Sequence, residues 1–377
     1  MGDIKGIKLC CPIKDGSGYA EASRQYALAI YRKGIPITIE PVSFETARPD
    51  LGSDGFIIES LINKDIEYNV KLIILTPEHY PIYKESNVLN VGYSFWETSA
   101  LHKEWPAYIN NNLQLCLVPC EWNRDVYIKS GVTIPVRKVN QGVNLAEFEN
   151  IPDFNIAGLG KETFMFYFIS QWTERKNFAG LLKAYWASFQ NNEDVALVLK
   201  TYKSSFASSE KEQLKKIILN LKYLMPMDYY PKVYLLLDLL SKEELLGVHK
   251  RGDCYVSPHR AEGWGMGAFE AGAMGNPVII TSLGGNMEFT NEENSYLIDY
   301  SWTPVSNMPF AKWYSHGVTC QWWAEPDIKQ TSDYMKYVYN NREKAKEKGL
   351  LIKKNIEENF EWSKVVSTMI NHIKEAL

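Results

Sequence analysis

The stretch that decides the fold is Ser257–Glu288, SPHRAEGWGMGAFEAGAMGNPVIITSLGGNME. A buried strand is expected to end at Ser257, and a loop with Glu262, Gly263, Trp264, Gly265 and Gly267 follows it. A helix is expected from about Met266 to Gly275, carrying Glu270, and Pro277 opens the next strand. Strand, Gly-rich loop, helix and strand make one unit of a parallel α/β sheet. Glycines ahead of a helix let backbone N–H groups approach an anion, and the helix dipole favours negative charge there. A diphosphate suits such a place. Glu262 and Glu270 are separated by seven residues. Carboxylates repel phosphate but accept pairs of O–H hydrogen bonds, so both suit sugar or ribose hydroxyls. The competing reading is a Gly-rich turn with surface glutamates.

Working outward, the α/β pattern runs twice. Gly6–Cys11 reads as a strand, 12–19 as a Gly-rich loop, 20–33 as a helix and 35–42 as a strand. Further strands are expected at 71–76, 88–92, 113–118 and 137–140. Residues 152–161 lack periodicity and contain Gly158 and Gly160, so the domain boundary is placed there. The pattern restarts with strands at 164–169, 195–199, 233–237, 254–257 and 277–281. Phe178, Leu181, Leu182, Tyr185 and Phe189 share one helical face, as do Leu214, Ile217, Ile218 and Leu221. Ser241 with Glu244 is a capping box. Residues 327–377 read as helical, broken near Asn341 and again at 360–363. The expected architecture is two doubly wound, Rossmann-like domains facing a cleft: 1–157, completed by a final helix 362–377, and 158–361. Ligands of such sheets sit beyond the carboxyl ends of the strands.

Composition bounds the possibilities. The chain has 377 residues, a net charge of −4 and 45% hydrophobic residues, as expected of a globular protein of about two domains. Its mild acidity disfavours nucleic acid as the primary partner. Lys203, Lys211, Lys215 and Lys216 alternate with Glu210 and Glu212, the pattern of a solvated helix face. The six cysteines lack zinc-ribbon spacing, and reduced thiols in a cytoplasmic protein are expected. No apolar run approaches the roughly 20 residues of a membrane span, which leaves peripheral membrane association open. The 11 Trp and 23 Tyr suit either ring-shaped polar ligands or a large core.

These residues carry a resemblance. EGWGMGAFEA (262–271) and GNPVIIT (275–281) are similar to the signature of glycosyltransferase family 4, the retaining enzymes of GT-B fold. KDGSGYAEASRQYALAI (14–30), GYSFWE (92–97), VPCEWNRDVYIKSG (118–131), PVRKVNQGVN (135–144) and WAEPD (323–327) resemble segments of its mannosyltransferase-like branch, in the same order. The resemblance implies that Glu270 holds the ribose of a nucleotide and that Glu262 meets the donor sugar. Backbone amides of Gly263, Trp264, Gly265 and Met266 would meet sugar and diphosphate. The family's diphosphate clamp is an arginine and a lysine. In SQWTERKN (170–177) Lys176 matches the lysine, Gln171 stands at the arginine position, and Arg175 adjoins the lysine. Two cations near a helix start suit an anion bound there. The nucleobase is expected near 237–241. On the N-terminal side Gly16, Ser17 and Gly18 are expected to touch phosphate or acceptor. Trp96 stands for a sugar-stacking ring or a core aromatic, and Glu97 for an acceptor-orienting carboxylate, with His79 and His102 as alternatives.

The implied reaction is retaining transfer of a sugar from a nucleotide-diphosphate donor to a hydroxyl of a glycan, lipid or protein, through an oxocarbenium-like transition state. No Asp-x-Asp occurs, so neither metal nor other cofactor is expected. Rival readings are transfer to a modified nucleic-acid base, a GT-B sugar-nucleotide epimerase, a phosphorylase and a non-enzymatic binder.

Overall fold

The computed structural model describes residues 2–43, 51–190, 193–308, 312–314 and 321–377. Cys320 lies outside them. The chain divides into two units. The first comprises residues 1–144 with 312–321 and 359–377, within the described residues, and the second comprises 145–311 with 322–358.

The first unit holds strands β1 (Ile7–Pro12), β2 (Ile37–Val42), β3 (Val70–Ile74), β4 (Leu89–Tyr93), β5 (Leu115–Val118) and β6 (Val136–Lys138). They form one parallel sheet in the order β2-β1-β3-β4-β5-β6. Every residue of β3, β4 and β5 is buried. This is why their sequences are continuous apolar runs and not alternating ones. Strand pleating still sorts the side chains. Leu72 and Ile74 join Leu9 under the helices Gly18–Arg32 and Trp362–Ala376. Ile73 joins Cys10, Tyr80, Trp105 and Tyr127 on the opposite face.

The second unit repeats the design with β7 (Phe164–Ile169), β8 (Val195–Lys200), β9 (Lys232–Leu236), β10 (Cys254–Ser257), β11 (Val278–Thr281) and β12 (Tyr296–Ile298). Their order is β12-β11-β10-β7-β8-β9, again parallel. The chain winds from β7 through β8 to β9, then returns to place β10 on the other side of β7. The carboxyl ends of β7 and β10 therefore form the switch point, where the loops leave in opposite directions. An antiparallel pair, β13 (Tyr300–Pro304) and β14 (Trp322–Pro326), is added to this unit.

Two expectations need correction. The first unit ends at residue 144, not 157. The irregular segment packs on the second unit, where Lys250 Nζ donates to the Ile151 carbonyl at 2.7 Å and Tyr234 Oη to the Gly158 carbonyl at 2.6 Å. The helix Gly52–Leu61, β12 and the β13–β14 pair are elements that the sequence reading passed over. Residues 359–377, which include the final helix, group with the first unit. Val365, Val366, Met369, Ile370 and Ile373 are buried there. No helix among the described residues is long and apolar enough to cross a membrane.

Candidate active site at the carboxyl ends of β7 and β10

Two loops meet at the switch point because their backbones are laced together. After β7 the chain makes a 3-10 turn, Glu174–Lys176, and Asn177 then caps the helix Phe178–Ser188. Asn177 sits at φ 54°, a left-handed conformation that Asn tolerates, and its Oδ1 accepts from Gly180 N. Its Nδ2 donates to the Pro258 carbonyl at 2.9 Å in the loop after β10. The Arg260 amide donates to the Arg175 carbonyl at 2.8 Å. The Arg260 guanidinium grips Glu174 on one side at 2.7 Å and Glu325 on the other at 2.8 Å.

This lacing puts Arg175 and Lys176 beside Glu262. Arg175 Nη1 donates to the Ala261 carbonyl at 2.9 Å and to Glu262 Oε2 at 3.2 Å, and Lys176 Nζ pairs with Glu262 Oε1. Glu262 is buried. Burial alone would raise its carboxyl, but Lys176 and Arg175 overrule it and hold the group down at about 2. Beneath it, burial pushes His259 down to about 4, so this imidazole is neutral at pH 7. His259 bonds the Leu283 carbonyl at 3.0 Å and Ser257 Oγ at 3.2 Å.

The following helix, Met266–Met274, starts from Gly265 at φ 91° with no side-chain cap. Its first amides are therefore not taken by a capping side chain. Opposite, the 3-10 turn Gly285–Glu288 closes on the Glu262 loop: Gly285 N donates to the Glu262 carbonyl at 3.0 Å. A Cβ at Gly285 would stand 2.1 Å from the Gly263 carbonyl oxygen.

Glu270 lies on the same helix with its own partners. Lys242 Nζ donates to Oε1 at 2.6 Å, and His249 Nε2 lies 3.4 Å from Oε2. Burial raises this carboxyl too, yet Lys242 and His249 bring it to about 2. Both glutamates are thus anions held by cations or N–H groups, able to accept hydroxyl hydrogens at neutral pH.

The structure brings Glu262, Arg175, Lys176 and the Gly263–Met266 backbone together. Three of the residues singled out from the sequence are engaged within the protein. Gln171 Nε2 donates to the Lys203 carbonyl at 2.6 Å and ties down the loop after β7. The Trp264 ring is a core group, 4% exposed and packed against Phe269 and Phe289. Trp96, also 4% exposed, stacks on Tyr314 and donates Nε1 to the Ala100 carbonyl at 2.8 Å, which decides for core over sugar-stacking ring. In the first unit, Ser17 caps the helix Gly18–Arg32 between exposed Gly16 and Gly18, accepting from Ala20 N at 3.2 Å. Glu97 accepts from Tyr314 Oη at 2.7 Å. Buried His102 packs edge-on against Trp313, and His79 bonds within its own turn at Thr76.

Sequence reasoning missed Lys242, His249 and Arg260. The capping box marks the helix that carries Lys242 and His249, but no local pattern says that it lies against Glu270. Gly284–Gly285 was a usable signal, since paired glycines after a strand imply close approach.

Residues 150–303 match the family model of the glycosyl transferases group 1. That span contains every residue named above in the Glu262 and Glu270 clusters except Glu325. An uncharacterized glycosyltransferase of Methanocaldococcus jannaschii is 22% identical over 235 residues, covering 62% of this chain. The chain spans about half (51%) of that relative's length. Among solved structures, HepE of Anabaena in complex with UDP and glucose superposes with a TM-score of 0.68 at 11% identity, covering 98% of this chain and 100% of that one. Sucrose-phosphate synthase of Thermosynechococcus elongatus gives 0.69 at 15% identity, covering 98% of each chain. The fold is GT-B.

Proposed function

We propose that this protein is a glycosyltransferase that takes a sugar from a nucleotide-diphosphate donor held by the second unit and transfers it, with retention, to a hydroxyl of a glycan, lipid or protein. The observation that carries the proposal is the cluster of Arg175, Lys176 and buried Glu262 beside a helix N-terminus without a side-chain cap, within the segment that matches the group 1 family. Cations and amides of this kind bind the donor diphosphate and stabilise the charge that grows on it as the glycosidic bond breaks. Glu262 accepts hydroxyls of the donor sugar, and Glu270 those of the ribose. Glu262 pairs with both cations, so a diphosphate bound there shares them with it. Gly16–Gly18 and Glu97 serve the acceptor. Transfer proceeds without a metal, and the protein acts in the cytoplasm or peripherally at a membrane.

A thermal-shift and calorimetry panel of UDP, GDP and ADP with their hexose conjugates tests the donor. UDP-glucose leads the panel because the structural neighbour HepE was solved in complex with it. Binding of at least one conjugate is expected, and no shift with any of them would remove the proposal. Anomeric analysis of the product by NMR tests retention, and turnover undiminished in EDTA tests metal independence.

A further inference from the structure

Glu270 is backed by a chain of polar groups, two of them fully buried, that the proposed chemistry does not use. Asn276 Nδ2 donates to the His249 carbonyl at 2.7 Å and to Tyr167 Oη at 2.7 Å. Tyr167 Oη lies 3.0 Å from His249 Nδ1. His249 Nε2 then faces Glu270 Oε2 at 3.4 Å. The Tyr167 and His249 side chains are fully buried, from three separate elements counting Asn276: β7, the helix Lys242–Arg251, and the turn before β11.

Donor and acceptor logic orders this chain. Asn276 gives one amide hydrogen to each of two acceptors, so Tyr167 Oη receives one of them. The phenol hydrogen is then directed to His249 Nδ1, which accepts. An imidazole that accepts at Nδ1 carries its proton on Nε2. The Nε2–H therefore points at the Glu270 carboxylate; the other tautomer would set a lone pair against an anion. Nε2 has no hydrogen-bond partner within ordinary geometry among the described residues, although His249 is wholly buried. A buried N–H left at 3.4 Å from its acceptor is an unfinished bond, of the kind that tightens when a ligand seats. Lys242 holds the other oxygen from the solvent side, with 35% of its side chain exposed against none for His249.

Resting on the reading of Glu270 as the ribose acceptor, we infer that Asn276, Tyr167 and His249 form a positioning relay that orients the Glu270 carboxylate and so sets the preference for a nucleotide with free ribose hydroxyls. His249 fixes Oε2 from inside, while Lys242 at Oε1 is the partner that yields to or shares with the ribose. These are positioning residues, since none needs to touch the nucleotide.

The test is a binding ratio measured by calorimetry on the full chain. The probes are UDP, GDP and ADP, each beside its 2′,3′-dideoxy counterpart. The wild type is expected to prefer the ribose form about 10- to 100-fold, the range for hydrogen bonds to a charged group. Tyr167→Phe, which removes one oxygen and leaves the core filled, is expected to shrink that ratio at least about threefold with the dideoxy affinity unchanged. His249→Leu is expected to bring the ratio near one, and His249→Gln, which keeps an N–H donor, to restore part of it. Equal weakening of both nucleotides, or an unchanged ratio in both Tyr167→Phe and His249→Leu, overturns the relay. A wild type that binds nucleotides without ribose preference overturns the relay and the role of Glu270, but leaves a diphosphate site. A wild type that binds none of the probes overturns the proposed function itself.

Discussion

Glu262 and Glu270 show how burial and charge compete at single residues. Each carboxyl is enclosed, which by itself favours the protonated form, and each is nonetheless held at about 2, Glu262 by Lys176 and Arg175 and Glu270 by Lys242 and His249. An ordinary glutamate titrates near 4.3. The unfolded chain therefore binds protons at these sites before the folded chain does. Their stabilisation is fully present above about pH 4.5 and is lost as pH falls toward 2. Acid unfolding followed by circular dichroism is expected to begin in that window, and Glu262→Gln is expected to flatten the dependence there. Kinetics address the cations. Lys176→Ala is expected to lower kcat about 10²- to 10³-fold, the effect of removing one preorganised charge-stabilising group. A variant that turns over like the wild type would remove Lys176 from the reaction.

At the scale of elements, the site depends on loops that are pinned and not on long side chains reaching freely. Gly285 has no room for a methyl group, with the Gly263 carbonyl 2.1 Å from where a Cβ would stand. Gly285→Ala is expected to displace the Glu262 loop, lower the melting temperature and weaken donor binding; unaltered binding would show that this turn does not set the loop. The helix Lys242–Arg251 has both halves of its capping box in place, with Ser241 Oγ accepting from Glu244 N at 3.1 Å. Ser241→Ala is expected to cost about 1 kcal/mol in urea unfolding. It should also loosen Lys242 against Glu270. The capping box, the Gly-rich loop and the start of the helix Met266–Met274 were legible because their signals are local. The partners of Glu270 were not. Lys242 and His249 are an ordinary lysine and histidine of an amphipathic helix until the sheet order places that helix beside Met266–Met274. The edge-lying elements β12, β13 and β14 were missed for a related reason: short strands of three to five residues carry too little periodicity to stand out.

At the scale of the whole molecule, the chain order and the structural units do not coincide. The last helix, Trp362–Ala376, is covalently the end of a helical run in the second unit but is packed into the first. Trp362 meets Tyr26 edge-on at 4.8 Å, and Met369 is completely buried. Met369→Ala is expected to destabilise the first unit by about 2–5 kcal/mol. Chemical unfolding should show that loss in the transition of the first unit, with nucleotide binding by the second retained. The two parallel sheets, the strand–loop–helix unit around Glu262 and Glu270, and the resemblance that implies roles for them were readable from local residue patterns. Those follow from residue types and spacings within about 30 residues, where backbone preference and apolar periodicity act. That residues 145–157 group with the second unit came from long-range packing. The same holds for the burial of Trp96 and Trp264, for the bond from Gln171 to the Lys203 carbonyl, and for the meeting of Asn276, Tyr167 and His249 behind Glu270. Each of these depends on which distant surfaces the close-packed core brings into contact, and packing is not written in any one segment of the chain.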